Sequence, residues 1–122
     1  MEGVRVAEME EFPRMPPARH RRISAIRAGD RRVRVVGVVV DRKDSEFTID
    51  DRSGRITVIF DDPSAASGIG IESKVKVIGV PLTVSGRTEL RAEIIRKVDG
   101  LDLELYDEFM SLLENMERGE VG

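Results

Sequence analysis

Residues 31–41 read RRVRVVGVVVD, and this stretch decides the fold class. Valine dominates it, and β-branched side chains favour the extended backbone of a strand. Gly37 interrupts the valine run, and a glycine inside a strand marks a bulge, a bend or a close approach of another backbone. The stretch therefore predicts one long strand that bends or bulges at Gly37.

Four more strands follow, each with apolar residues at alternate positions. EFTID at 46–50 and RITVIF at 55–60 flank the turn sequence DRSG, and together they predict a hairpin. KVKVIGV at 74–80 is the fourth strand, and residues 88–98 are the fifth, after a tight turn at Ser85 and Gly86. The alternation predicts an inward-facing set made of Phe47, Ile49, Ile56, Val58, Val75, Val77, Leu90, Ala92 and Ile94, and it puts Phe60 on the same face as Ile56 and Val58.

The number and spacing of these strands predict a mainly β architecture. Five short strands joined by turn signals, with no long helix among them, are typical of a small closed barrel or sandwich. Residues 61–72 (DDPSAASGIGIE) form the one long connection, with room for a short helical turn.

After the last strand the pattern changes to that of a helix. Residues 102–118 read DLELYDEFMSLLENMER, and apolar residues recur at spacings of four, three and four. Asp99 or Asp102 is expected to cap the helix, and Gly119 suits its end. The apolar stripe consists of Leu105, Phe109, Leu112 and Met116.

The apolar surface of this helix is wider than one face. Leu103 and Met110 extend it beyond the stripe, which is itself expected to cover the barrel. Apolar surface beyond the part that covers the barrel needs a second partner. The predicted partner-binding residues are Leu105, Tyr106, Phe109, Leu112, Leu113 and Met116.

Composition predicts a soluble, intracellular, single-domain protein, located in the cytoplasm or nucleoid, or in the nucleus of a eukaryote. A chain of 122 residues can bury an apolar core, and the absence of cysteine excludes disulfides and thiolate sites. No apolar run approaches the roughly 20 residues of a membrane-spanning helix, and the first residues lack a secretion signal. Glutamine is absent and asparagine occurs once, which favours a thermophilic source.

Charge is divided between the two ends of the chain. Residues 12–43 contain ten Arg or Lys against two acids, and residues 99–122 contain eight acids against one base. Either the basic segment faces a polyanion and the acidic one a protein partner, or the two segments pair with each other or with water. Three regions are predicted: a flexible arm at 1–22, the barrel at 23–98, and an oligomerisation helix with its tail at 99–122.

The order of these motifs resembles the middle and small subunits of replication protein A, the heterotrimeric single-strand-binding factor of eukaryotes and many archaea. The resemblance spans residues 22–118 and rests on VRVVGVVV at 33–40, FTIDD at 47–51, KVIG at 76–79 and the stretch 90–116. It implies an OB-fold barrel, a five-stranded fold, followed by a C-terminal amphipathic α-helix that joins larger OB-fold subunits in a helix bundle. A hetero-oligomer is expected, or a homodimer in isolation.

The resemblance also implies binding of single-stranded DNA. This binding is expected to be sequence-independent and, because the chain has only five aromatic residues, weak. OB folds bind through the second and third strands and two flanking loops, and they use aromatic stacking together with basic groups. Phe60 is either a stacking platform or a core residue, because it alternates with Ile56 and Val58. The predicted DNA-binding residues are Arg42, Lys43, Phe60, Lys76, Arg87 and Arg91.

No enzyme, metal site or cofactor is predicted. His20 is the single histidine and is expected to be solvated, while Asp50–Asp51 and Asp61–Asp62 are expected to cap turns. No phosphate-binding loop or nucleophile motif occurs. Two other functions stay open: an OB subunit of a telomere-capping or repair complex, and a structural subunit that never contacts DNA.

Overall fold

The computed structural model describes residues 18–117; residues 1–17 and 118–122, which belong to the predicted arm and tail, lie outside the described range. Within this range no helix is long and apolar enough to cross a membrane. The strands are β1 (Arg19–His20), β2 (Val33–Arg42), β3 (Glu46–Asp50), β4 (Arg55–Ile59), β5 (Lys74–Val84) and β6 (Arg87–Lys97), the helix is α1 (Leu103–Glu117), and 3-10 turns lie at Ile23–Ala25 and Pro63–Ala66.

Strands β2 to β6 close into a barrel. β2 pairs antiparallel with both β3 and β5, β3 pairs with β4, and β5 pairs with β6. A parallel pairing between β4 and β6 completes the ring. Each of the five strands thus has two neighbours, as barrel closure requires. The predicted OB fold, a five-stranded barrel followed by one C-terminal helix, is confirmed.

β2 changes partners at its centre, which is why it must be long. Val38 pairs with Asp50 on β3 and with Lys74 on β5. The half of β2 before Val38 pairs with β5, and the half after it pairs with β3. A Cβ added at Gly37 would lie 2.8 Å from the carbonyl oxygen of Asp50, so only glycine fits this close approach. The bulge in the ladder lies slightly further on, between Val39 and Asp41.

The barrel interior is filled by the alternating apolar residues of the strands. Phe47 and Phe60 meet there with ring centroids 5.8 Å apart, and both are buried. The inward orientation predicted for the alternating residues of β3, β4 and β5 is therefore confirmed. The hydrophobic strand residues that are less than 2% exposed are Val33, Val35, Val39, Phe47, Ile49, Val58, Val75, Val77 and Leu90.

The predicted inward orientation of Ile94 is wrong. The pairing between β5 and β6 shifts so that Ile78 pairs with Ile94 and Gly79 with Ala92, which leaves Glu93 as an extra residue. An extra residue in a strand reverses which side chains after it point inward and which point outward. Ile94 is therefore 41% exposed, and Ile95 packs against the core instead.

The last residues of the predicted flexible arm are part of the folded structure. Arg19 and His20 form β1, which pairs parallel with the start of β2. The Arg21 amide donates to the Arg34 carbonyl at 3.0 Å. The ordered chain therefore begins before residue 23, because these residues find backbone partners on the barrel that composition alone does not reveal.

Helix α1 lies against the outside of the barrel and starts as predicted. The Asp102 carboxylate accepts hydrogen bonds from the amides of Glu104 at 3.0 Å and Leu105 at 3.2 Å. Asp99, the alternative cap, instead accepts a hydrogen bond from the Lys74 amide at 3.1 Å. Met110 is the buried residue of the helix.

Candidate nucleic-acid interface and assembly helix

The outer face of β3 and β4 and the start of β6 form a shallow cleft of about 150 Å³, which we call the groove. Side chains at alternate positions of β3 and β4 point away from the core into it. Their neighbours Phe47, Ile56 and Val58 are buried. The polar residues that line the groove are Thr48, Arg55, Thr57, Arg87, Thr88 and Glu89.

Two arginines supply the positive charge of the groove. Arg55 Nε donates to Asp50 Oδ2 at 2.8 Å, and this hydrogen bond lowers the pKa of Asp50, helped by the Arg52 amide. Arg87 is exposed and has no carboxylate partner within residues 18–117. Arg87 is thus the groove cation that is available to an anionic ligand.

Arg42 and Phe60, both predicted to bind DNA, do not line the groove. Phe60 is 6% exposed, so the core alternative is correct and its ring cannot stack on a base. Arg42 lies 5.3 Å from the centre of that ring, and its Nε donates to the Ile69 carbonyl at 3.1 Å. Arg42 therefore covers one end of the core, whereas Lys43 beside it is exposed in the turn after β2.

Lys76 and Arg91 lie outside the groove. Lys76 pairs with Val36 on β2, and it is close enough to His20 to lower the pKa of that residue. From Lys76 to Val84, the partner of Arg87, is about 26 Å of extended strand. Arg91 lines a separate cleft and its Nη2 lies 2.9 Å from Asp61 Oδ2. The six predicted DNA-binding residues are therefore not one cluster.

Arg55, Thr48 and Thr57 line the groove but are not among the residues predicted from the sequence. The signal was present, because Thr48, Arg55 and Thr57 alternate with residues correctly predicted to face the core. No aromatic side chain within residues 18–117 lines the groove: Phe47 and Phe60 are in the core, while Tyr106 and Phe109 belong to α1. Binding there would depend on charge and hydrogen bonds without stacking.

The helix presents its apolar stripe to solvent, opposite to the predicted orientation. Leu105 is 63% exposed and Leu112 62%, with Phe109 and Met116 also exposed. Met110 instead packs toward the barrel, with Tyr106 and Leu113 partly buried on that side. The helix thus has apolar surface that the barrel does not cover, as expected. Four of the six predicted partner-binding residues form this surface, and the other two, Tyr106 and Leu113, face the barrel.

Arg21 and Arg22 hold the helix in this orientation, and we call their ion pairs and hydrogen bonds with α1 the polar clamp. Arg22 Nη1 is ion-paired with Asp107, its Nε donates to Glu114 Oε1 at 2.9 Å, and its Nη2 donates to Ser111 Oγ at 2.8 Å. Arg21 adds a pair with Glu117 at 3.3 Å. Part of the basic segment thus pairs with the acidic segment, so for these residues the interpretation that the two segments pair with each other holds.

His20 is packed under the helix and is not the solvated residue expected. Its ring meets Phe109 edge-on, with centroids 6.1 Å apart, and Arg34 Nη1 lies 3.0 Å from its Nε2. Desolvation lowers the pKa of His20 below 6.5, and the charges of Arg34 and Lys76 lower it further. The imidazole is therefore neutral at pH 7.

A cavity of about 230 Å³ remains between α1 and the barrel. Its apolar lining comes from Val36, Val38 and Val40 of β2 and from Met110 of the helix. Protein cores rarely leave a space larger than one water molecule. The helix is thus only partly packed against β2, and the polar clamp is a substantial part of its attachment.

The paired aspartates have structural roles. Asp51 Oδ1 accepts hydrogen bonds from the amides of Ser53 at 2.9 Å and Gly54 at 3.2 Å, and Asp62 caps the Pro63–Ala66 turn through the Ser64 amide at 2.9 Å. No group of three or more histidines or acids within residues 18–117 is arranged to hold a metal ion.

Comparison with known proteins shows shared folds. No family model and no curated protein matches this chain. The telomere capping protein Ten1 from Saccharomyces pombe matches with a TM-score of 0.63 at 19% identity, over 81% of this chain and 99% of that one. The S. pombe Stn1–Ten1 complex matches with a TM-score of 0.54 at 24% identity, over 75% of this chain and 72% of that one.

A replication protein A heterotrimer bound to single-stranded DNA matches with a TM-score of 0.51 at 25% identity, over 70% of this chain and 69% of that one. An asparaginyl-tRNA synthetase from Entamoeba histolytica also matches, with a TM-score of 0.56 at 16% identity, but only 26% of that chain is covered. The likeness to the synthetase is confined to one part of a much larger enzyme, whereas the matches to Ten1, the Stn1–Ten1 complex and replication protein A extend over most of both chains.

Proposed function

We propose that this chain is an OB-fold subunit of a single-stranded DNA-binding complex, of the replication protein A or telomere-capping kind. The observation that carries the proposal is the exposed stripe Leu105, Phe109, Leu112 and Met116, on a helix that follows the barrel directly. Full burial of one large apolar side chain contributes roughly 1.5–3 kcal/mol. Four such side chains suffice to hold a partner helix.

The partner is proposed to be a helix of a larger OB-fold subunit, with a basic or mixed polar face. Asp107, Glu114 and Glu117 are engaged by Arg21 and Arg22. At 100° per residue, Glu104 and Glu108 lie beside the stripe. Both are exposed, and neither has a cationic partner within residues 18–117. Like charges disfavour a second copy of this helix, whereas lysines or arginines on a different helix would complement it.

The similar proteins support this proposal. They include a replication protein A heterotrimer bound to single-stranded DNA and the complex of Stn1 with Ten1, a telomere capping protein. The groove lies where OB folds bind nucleic acid, and Arg87, which lines it, has no carboxylate partner among the described residues. We propose that this chain contributes weak, sequence-independent binding through Arg55 and Arg87 within the complex.

The assembly test is purification of the tagged full chain from its native host. We expect a larger OB-fold protein to co-purify with the wild type and to be lost with the double variant Leu105→Ser/Leu112→Ser. Ile71→Ser is the matched control, because Ile71 is 63% exposed but lies on a barrel loop. Normal assembly of the double variant, or a partner without an OB fold, would contradict the proposal.

The DNA test uses that purified complex and a thymidine oligonucleotide. Replacing Arg55 and Arg87 by glutamine should weaken binding and reduce its dependence on salt, since each phosphate contact contributes about 0.7 to the logarithmic salt slope for single strands. Arg42 is unsuitable for this test because it covers the core. Unchanged binding would exclude the groove.

A structural subunit without DNA contact is the second candidate. It is favoured by the lack of aromatic side chains in the groove among the described residues, and by the pairing of Arg55 with Asp50. The same oligonucleotide measurement separates the two: a complex that assembles through α1 but whose DNA affinity ignores the Arg55 and Arg87 substitutions supports this second candidate.

A further inference from the structure

A second basic cleft, of about 420 Å³, lies at the start of β2. It is formed where β1 runs beside the chain that enters the barrel. We call it the arginine cleft, and its lining residues are Arg19, Arg21, Gly29, Asp30, Arg31, Arg32 and Val33.

The positive charge of the arginine cleft is only partly neutralised. Arg21 reaches Glu117 at 3.3 Å and Arg32 reaches Glu93 at 2.6 Å. Arg19 and Arg31 are exposed, and neither has a carboxylate partner within residues 18–117. The acid in the lining, Asp30, accepts a hydrogen bond from the Arg27 amide at 2.9 Å. The cleft therefore carries more cationic than anionic groups.

The backbone holds the arginines of two chain segments together. Arg19 donates from its amide to the Arg32 carbonyl at 3.1 Å, next to the bond between Arg21 and Arg34. Gly29 leaves the approach open, because a Cβ at that position would meet nothing within 4 Å. Guanidinium groups are planar forks that match the oxygens of a phosphate. The arrangement is suited to a phosphate ligand.

We propose that the arginine cleft binds phosphodiester groups of a single-stranded nucleic acid, at a place separate from the groove. This inference rests on the proposed function. Val33 at the cleft pairs with Gly79, and Arg87 in the groove pairs with Val84, so about 17 Å of strand separates the two places. One DNA strand contacting both would place different phosphates in each, and the basic segment then adds affinity that the groove lacks.

The first test asks whether the cleft binds phosphate at all, without DNA. Isothermal titration of the full chain with inorganic tripolyphosphate should show binding that Arg19→Gln/Arg31→Gln weakens by about tenfold or more. Arg52→Gln/Arg96→Gln removes two exposed arginines elsewhere and should leave the affinity unchanged. Absent binding, or equal affinities for the wild type and the cleft variant, would overturn the inference.

The second test identifies the ligand with a thymidine oligonucleotide of about 16 nucleotides, the upper site size of one OB fold. Loss of two phosphate contacts should reduce the salt slope by about 1.4 in the Arg19→Gln/Arg31→Gln variant and not in the control. An unchanged slope beside lost tripolyphosphate binding overturns nucleic acid as the ligand. If the wild-type complex binds no DNA at all, the DNA-binding part of the proposed function fails, and the tripolyphosphate result still decides the cleft.

Discussion

The barrel interior and the contact between α1 and the barrel are built by different means. Nine barrel side chains are less than 2% exposed, and they come from all five barrel strands. Under α1, Met110 is buried beside a cavity of about 230 Å³, while Arg22 joins the helix through ion pairs and hydrogen bonds. The barrel is held by apolar packing, whereas the helix is held largely by polar contacts.

One chain thus combines a closely packed barrel with a helix whose apolar stripe is exposed. Close packing makes the interior sensitive to the loss of single methylene groups. A helix attached mainly by a polar clamp keeps an apolar face free for another protein. Five substitutions separate the two kinds of contact, in order of decreasing expected effect on the free energy of unfolding.

Phe47→Ala should have the largest effect. The Phe47 ring is 1% exposed and packs against Phe60, so its removal should lower the free energy of unfolding by about 3–5 kcal/mol. Chemical denaturation of the full chain measures this loss. Ile71→Ala, at a 63% exposed site, should change stability by no more than about 0.5 kcal/mol. Similar values for both variants would refute the assignment of the core.

Met110→Ala tests the apolar part of the helix contact. Buried methionine-to-alanine changes cost about 2–5 kcal/mol, and we expect about 2, because the side chain already borders a cavity. Hydrogen exchange should show faster opening of α1 while the amides of β2 to β6 keep their protection. A uniform loss of protection through barrel and helix would show that the two regions unfold as one unit.

Arg22→Ala tests the polar clamp. The Arg22 side chain is 19% exposed, but its partners Asp107 and Glu114 are more accessible at 44% and 35%. Solvent screening therefore limits the expected loss to about 1 kcal/mol. Exchange of the α1 amides is again the readout, and Arg96→Ala, at an exposed position of β6, is a control for charge. If α1 keeps its full protection, Arg22 does not hold the helix.

The lowered pKa of His20 should make the contact between α1 and the barrel sensitive to pH. The folded pKa of His20 lies below its ordinary value of 6.5, so between these values the unfolded chain binds more protons and stability falls as pH falls. The protonated ring would face Arg34 and Lys76, with Tyr106 beside it. The protection of α1 should decrease below about pH 6.5, and His20→Gln should remove that step. A step that persists in this variant belongs to other groups.

Leu112→Ser should have the smallest effect on stability. Leu112 is 62% exposed, and substitutions at such sites usually change the free energy of unfolding by no more than about 0.5 kcal/mol. The same substitution removes part of the proposed docking stripe. Denaturation of the isolated chain should therefore be nearly unchanged while entry into the complex is impaired, and a large loss of stability would mean that Leu112 already packs within the chain.

Sequence alone determined the barrel and the existence of the helix. Alternation in β3 to β5 is a local property, and a closed barrel offers each strand one interior, so the inward residues of these strands follow directly from the pattern. The cap at Asp102 and the turn at Asp51 are equally local, since the carboxylate and the amides it accepts from lie within three residues. Such features need no knowledge of distant contacts.

Only the tertiary structure decided which surfaces are free. The helix has apolar residues on two sides, and its choice of the Met110 side depends on β2 and on Arg22, which lies 85 residues from Asp107 in the sequence. The extra residue Glu93 leaves Ile94 pointing outward. Phe60 is buried in the core, and the Arg42 side chain lies over its ring. Each outcome depends on a distant partner, and alternation along a single segment carries no information about that partner.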